Sequence, residues 1–119
     1  MSNEAIEKLV EEYFHGMYEG DVDRLKAIFH EDCRLFGERK GKKRELSASD
    51  FLAYVANAPV PKDQGEAFDM TLVSINQTGP VAVAHVEDLY QGGRFTDYLT
   101  CMETDDGWKI VNKAYFSAD

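Results

Sequence analysis

The sequence is short of positive charge, of cysteine and of long apolar runs, and each shortage removes a class of function. Its 119 residues carry 13 Lys and Arg against 22 Asp and Glu, a net charge of −9. That sign argues against nucleic acid and against an anionic membrane surface as partners. The two cysteines, Cys33 and Cys101, form neither a metal-ligand spacing nor a disulfide framework. No metal site is therefore expected, and reduced thiols are. No apolar run is long enough to span a bilayer, and the opening MSNEAIEKL is acidic and helical with no signal-peptide core, so a cytoplasmic location is expected. A Gly-x-Ser-x-Gly elbow, a phosphate-binding glycine loop, a dinucleotide fingerprint and a His-Glu-x-x-His zinc motif are all missing, and no cofactor is implied.

What is present is enough for one core, and 1–119 reads as a single domain, 44% hydrophobic and 29% charged. The stretch Arg94–Phe116 organises it. Two alternating runs, Phe95–Thr104 and Gly107–Phe116, are separated by Asp105-Asp106-Gly107, a strong hairpin signal because Gly accepts the positive φ of a tight turn. Strict alternation groups Tyr98 with Thr100 and Met102, sets Asp97 with Leu99 and Cys101 on the other side, and places Asn112 between Ile110 and Ala114. Residues 4–19 carry Ile6, Leu9, Val10, Tyr13, Phe14 and Met17 at helical spacing. A short helix follows over Val22–Phe29, opened by Asp21, and a strand over Cys33–Glu38. Ser47 and Asp50 fit a capping box for a third helix that Pro59 and Pro61 end. Beyond Glu66 the period changes to two, with strands near Phe68–Gln77, Val81–Tyr90, Phe95–Thr104 and Trp108–Phe116. Links this short make them antiparallel. The expected class is α+β: three N-terminal helices and a curved antiparallel sheet.

This order resembles the nuclear transport factor 2-like superfamily, with closest likeness to its SnoaL-like and "putative lumazine-binding" groups. The residues that carry the resemblance are the amphipathic first helix, Gly20-Asp21-Val22-Asp23, Phe29-His30-Glu31-Asp32-Cys33, Phe95-Thr96-Asp97-Tyr98-Leu99, and Asp106-Gly107-Trp108-Lys109-Ile110-Val111-Asn112-Lys113. The resemblance implies a cone-shaped sheet wrapped round the helices, cystatin-like, with a pocket at its open end. It also implies a homodimer through the outer sheet face, for which Val111, Lys113 and Tyr115 are the expected contacts. The superfamily hosts isomerases, dehydratases, hydrolases, binding modules and association domains, so the fold alone names no reaction.

Candidate site residues follow from the pattern. Tyr13 and Met17, four apart on one helix, share a face; with Phe36, Tyr54, His85, Tyr98 and Asn112 they are the expected contacts of a small apolar or aromatic ligand. His85 and Glu87, two apart in an otherwise apolar strand, are the acid–base candidates if their face lines the pocket, and hydrogen-bonded rim or interface residues if it does not. Ketosteroid isomerase-type relatives use a Tyr and two acids; Tyr13 or Tyr98 supplies a phenol here, while Arg34, Leu35, Phe36 and Gly37 stand where a carboxylate base is sought. His30 with Glu31 and Asp32 reads as a metal or proton-relay cluster, or as a His favoured by a helix end. The basic run Arg39-Lys40-Gly41-Lys42-Lys43-Arg44 reads as an anion site or as a solvated loop. Three functions stay open: a small-molecule-binding module, an isomerase- or dehydratase-type enzyme, and a structural dimerisation domain.

Overall fold

The computed structural model describes residues 3–119; Met1 and Ser2 of the opening segment lie outside them. Helix α1 (Glu4–Glu19) buries the expected stripe and ends on Gly20, whose φ of 65° is the left-handed value that stops a helix. Helix α2 (Val22–Lys26) starts at Asp21, whose carboxylate accepts from the Arg24 amide. It is shorter than the sequence suggests, because the chain is already extended by Phe29. Strand β1 (Phe29–Arg39) then pairs with β2 (Lys42–Ser47), and α3 (Ala48–Asn57) follows, with the Ser47 hydroxyl accepting from the Asp50 amide. The strands β3 (Met70–Thr78), β4 (Val81–Tyr90), β5 (Gly93–Thr104) and β6 (Gly107–Ser117) complete the chain.

The strands form one curved, unclosed sheet in the order β2-β1-β6-β5-β4-β3. Among the described residues only β1 and β6 run parallel; every other pairing is antiparallel. The helices pack on one face, and their apolar stripes meet Leu35, Ala84, Val86, Leu99 and Ile110 in a common core. Strand β2 replaces the solvated loop expected for the basic run. Lys40 (φ 53°) and Gly41 (φ 79°) make a two-residue turn of positive φ, so the chain returns at once and pairs with β1.

One irregularity decides which residues face inward. Thr100 pairs with Asn112 but Cys101 pairs with Ile110, so Val111 is an extra residue, a β-bulge in β6. Past the bulge the alternation is inverted. Ile110 and Lys113 are both buried on the concave side, whereas Asn112 points to the convex side.

Candidate functional site

The concave face of the sheet, together with α1 and α3, encloses a cavity of about 480 Å³, within the range of small-molecule sites. Four polar side chains sit at its inner end: Tyr13 is 0% exposed, Asp97 1%, Asp88 4% and Lys113 5%. Each is placed by a regular element. Tyr13 lies on the buried stripe of α1. On β4 the inward set is Ala82, Ala84, Val86, Asp88 and Tyr90, and on β5 it is Asp97, Leu99 and Cys101. Lys113 is turned inward by the Val111 bulge.

The Tyr13 hydroxyl donates to Asp97 Oδ2 at 2.7 Å. Burial drives the Asp88 carboxyl up to about 9, and the charge of Asp97 and a hydrogen bond with Asp97 push it the same way, so Asp88 holds its proton at neutral pH. The proton is what the pair needs: Asp97 Oδ1 is buried and has no N–H or hydroxyl donor among the described residues, a costly state for a carboxylate oxygen. Burial first, and then the neighbouring acids, raise the Tyr13 phenol well above its ordinary value. The Lys113 ammonium lies 5.1, 4.7 and 5.4 Å from the ring centroids of Tyr13, Phe51 and Tyr115, an aromatic cage for a cation. Phe51, Met17, Tyr90 and Phe95 supply apolar wall, and the Tyr54 hydroxyl donates to Gln91 Oε1 at 2.6 Å beside the opening. Burial pushes the Cys33 and Cys101 thiols up to about 11 and about 12, so neither is a ready nucleophile.

Of the residues expected from sequence, Tyr13, Met17 and Tyr54 line this cavity. Phe36, His85, Glu87, Tyr98 and Asn112 are on the opposite, convex face. Phe36, Ala114, Tyr98 and His85 form one cross-strand row there, and His85 stacks on Tyr98 at 4.7 Å. The convergence of His85, Tyr98 and Asn112 on α1 therefore does not occur. On β4 the parity set by Ala82, Ala84 and Val86 leaves His85 and Glu87 facing outward. For Asn112 the reason is the bulge; its amide donates to the Arg34 carbonyl at 3.0 Å, tying β6 to β1. Lys113 and Tyr115, expected at an outer interface, line the cavity instead. His30 accepts from the Asp32 amide within β1, and no group of three or more metal-ligating side chains occurs among the described residues. His15 stacks on Phe68.

The residues missed from sequence are Asp88 and Asp97. Their signal was parity: Asp88 continues the Ala82-Ala84-Val86 face, and Asp97 precedes Leu99 and Cys101 on theirs. A Tyr and two carboxyls in the cone thus do occur, with both acids supplied by β4 and β5 instead of β1.

The "Putative lumazine-binding" family model matches residues 1–116, and the chain belongs to that family, within the nuclear transport factor 2-like superfamily. It is similar to a solved nuclear transport factor 2-like protein of unknown function from Silicibacter pomeroyi, with 27% identity, 98% of this chain and 99% of that one covered, and a TM-score of 0.82. A nuclear transport factor 2-like protein from Shewanella baltica is 23% identical, with 96% and 91% covered and a TM-score of 0.84. Among curated proteins, the chain is similar to Aldolase FrzH from Cladobotryum sp, 25% identical over 105 residues, 88% of this chain and 82% of that protein. No helix among the described residues is long and apolar enough to cross a membrane.

Proposed function

We propose that the cavity binds a small molecule through an oxygen, carbonyl or hydroxyl, that meets the Tyr13–Asp97–Asp88 cluster, while aromatic walls hold the rest of the ligand. The observation that carries this reading is the cluster itself. Two carboxyls and a phenol stripped of solvent are an expensive feature in a core, and here they are gathered at the inner end of a cavity. With the Asp88 proton needed by Asp97, the Lys113 ammonium is the donor left for a ligand oxygen, and its charge favours negative charge developing there. The ligand is less apolar than the sequence implies, since five basic side chains and two carboxyls line the space.

A second reading, acid–base catalysis on a carbonyl compound, is favoured by the proton that Asp88 holds beside Asp97 and by the likeness to an aldolase. His85 and Glu87 have no part in it. The convex row supports the further reading that a second copy of the chain covers the outer face. Phe36, Tyr98, Met102 and Phe116 are exposed there, and His85 Nε2 is buried with no partner among the described residues.

Titration with acetophenone followed by amide NMR tests the binding reading. Saturable shifts confined to residues around Tyr13, Asp88, Asp97 and Lys113, and lost in Asp88→Leu, are expected. Shifts on the convex face, or none that saturate, would refute it.

A further inference from the structure

The β1–β2 hairpin carries its charge differently on its two faces. On the outward face every cation has an acid: Arg34 pairs with Glu45, and Lys43 with Glu38 at 2.6 Å. On the inward face Arg39 stands opposite Lys42, and Arg44 opposite Gly37. All three, with Lys40 of the turn, line the cavity, and none has a carboxylate side chain within ion-pair distance among the described residues. Arg39 is nonetheless held in place. Its guanidinium donates to the main-chain oxygens of Asp119 and Gln91 and lies 5.1 Å from the Phe95 ring centroid. Gly37, opposite Arg44, leaves room for the Tyr115 ring: a Cβ there would come within 2.3 Å of that ring.

Solubility does not account for this arrangement. The chain is already at −9, and cations that serve only solubility have no reason to line a cavity. Nor do these cations neutralise the inner carboxyls, because Lys113 is already buried beside that pair and favours its charged form. An acidic protein partner would call for the cations to project outward, where they are instead paired.

We propose, on the basis of the ligand reading above, that the molecule taken by this cavity is an anion. Its carbonyl or hydroxyl end reaches Tyr13, Asp88 and Asp97, and its carboxylate or phosphate end lies against Arg39, Lys42 and Arg44. Guanidinium and ammonium groups suit both oxyanions, with Arg offering the bidentate fork. The cavity thus has two recognition ends, an acidic one that reads an oxygen function and a basic one that reads charge.

Three probes sharing an acetyl group separate the possibilities: acetophenone, 4-acetylbenzoate and 4-acetylphenyl phosphate. Affinities are measured by NMR titration at low and at physiological ionic strength, on the wild type, the Lys42→Glu/Arg44→Glu double variant and Lys43→Glu. At least one anionic probe is expected to bind about tenfold more tightly than acetophenone, the scale of a few partly screened ion pairs. That advantage should shrink with salt and vanish in the double variant, while Lys43→Glu, on the outward face of the same strand, changes it less than twofold. Preference for one anion identifies the carboxylate or the phosphate as the group read. Equal affinity for neutral and charged probes would overturn the proposal and leave the ligand reading standing. An equal loss in Lys43→Glu would also overturn it, by showing general attraction in place of a site. Should no probe bind in the cavity, the ligand reading fails first and this inference with it. Circular dichroism of each variant confirms that it folds.

Discussion

Asp88 and Asp97 are inward diagonal neighbours on adjacent strands: Asp88 stands opposite Phe95, and Asp97 is two residues farther along β5. Both carboxyls are buried, and burial together with the neighbouring Asp97 raises the Asp88 carboxyl, so the proton sits on Asp88. Everything polar at the inner end of the cavity is arranged around this pair, Tyr13 donating to one oxygen and Lys113 supplying positive charge.

The pair makes stability depend on pH with a definite sign. An acid whose folded pKa is raised contributes stability that is fully present below its unfolded value, about 3.9 for Asp, and is lost as pH rises through about 9. Asp88 should therefore lower the Tm progressively across that window. Asp88→Asn keeps the shape and cannot ionise, so it flattens this part of the profile and raises the Tm near pH 8 by several degrees, each kcal/mol being worth roughly 4 °C. Calorimetric scans of both proteins over the range check this. A constant offset between the two curves would show that Asp88 is not the titrating group.

Tyr13→Phe removes the hydroxyl that donates to Asp97 Oδ2. It leaves Oδ2 of that buried carboxyl without its donor and should destabilise by about 1–3 kcal/mol. The loss should be strongly non-additive with Asp97→Asn, since the second change removes the charge that the first one strands. Urea denaturation of the two single variants and the double variant measures the coupling; additive losses would count against a hydrogen bond of this kind.

Asn112→Leu provides the contrast. The amide holds β6 to β1 through the Arg34 carbonyl, on the face away from the cavity. The change should cost about 1 kcal/mol, one hydrogen bond, and lower the Tm by a few degrees while leaving acetophenone binding unchanged. A variant of wild-type stability that no longer binds would contradict the placement of Asn112 on the convex face.

Asn112 also shows where the sequence stops being legible. The helices, the change of period after Glu66 and the Asp-Gly hairpin were readable because each is a local signal. So was the stripe that carries Tyr13 and Met17. Facing was not readable past Val111, because a bulge has no reliable local signature and inverts every later side chain; Asn112, Lys113 and Tyr115 all exchange faces with expectation. On β4 the difficulty was different. The alternation was regular, but polarity drew the choice to His85 and Glu87, although Ala82, Ala84 and Val86 already marked Asp88 as the inward acid. Strand β2 was hidden by its charge, since Lys42, Lys43, Arg44 and Glu45 read as solvated loop until the positive-φ turn at Lys40-Gly41 is seen.

Gly37→Ala tests how tightly the wall is built. Its Cβ would meet the Tyr115 ring at 2.3 Å, so the ring must move into the cavity or the strand must shift. The expected cost is about 1–3 kcal/mol, as for overpacking elsewhere. Near-UV circular dichroism should register the displaced tyrosine. Unchanged stability and an unchanged near-UV spectrum would mean that the ring has free space the structure does not show.

The last expectation concerns the convex face. Phe36 on β1, Ala114 on β6 and Tyr98 on β5 stand side by side, with Phe116 beside them. Phe116 is 52% exposed and Tyr98 47%. Apolar side chains spread over adjacent strands make a patch of the kind that monomers seldom leave open. A two-fold arrangement would cover it with the same patch of a second copy. Tyr98→Glu with Phe116→Glu places four carboxylates in such an interface, two from each copy. Sedimentation equilibrium at micromolar concentration should give a dimer for the wild type and a monomer for the double variant. Both side chains point away from the cavity, so the variant should keep the acetophenone affinity of the wild type. A wild-type monomer at that concentration would refute the dimer outright. A dimer that survives both substitutions would move the interface off this face.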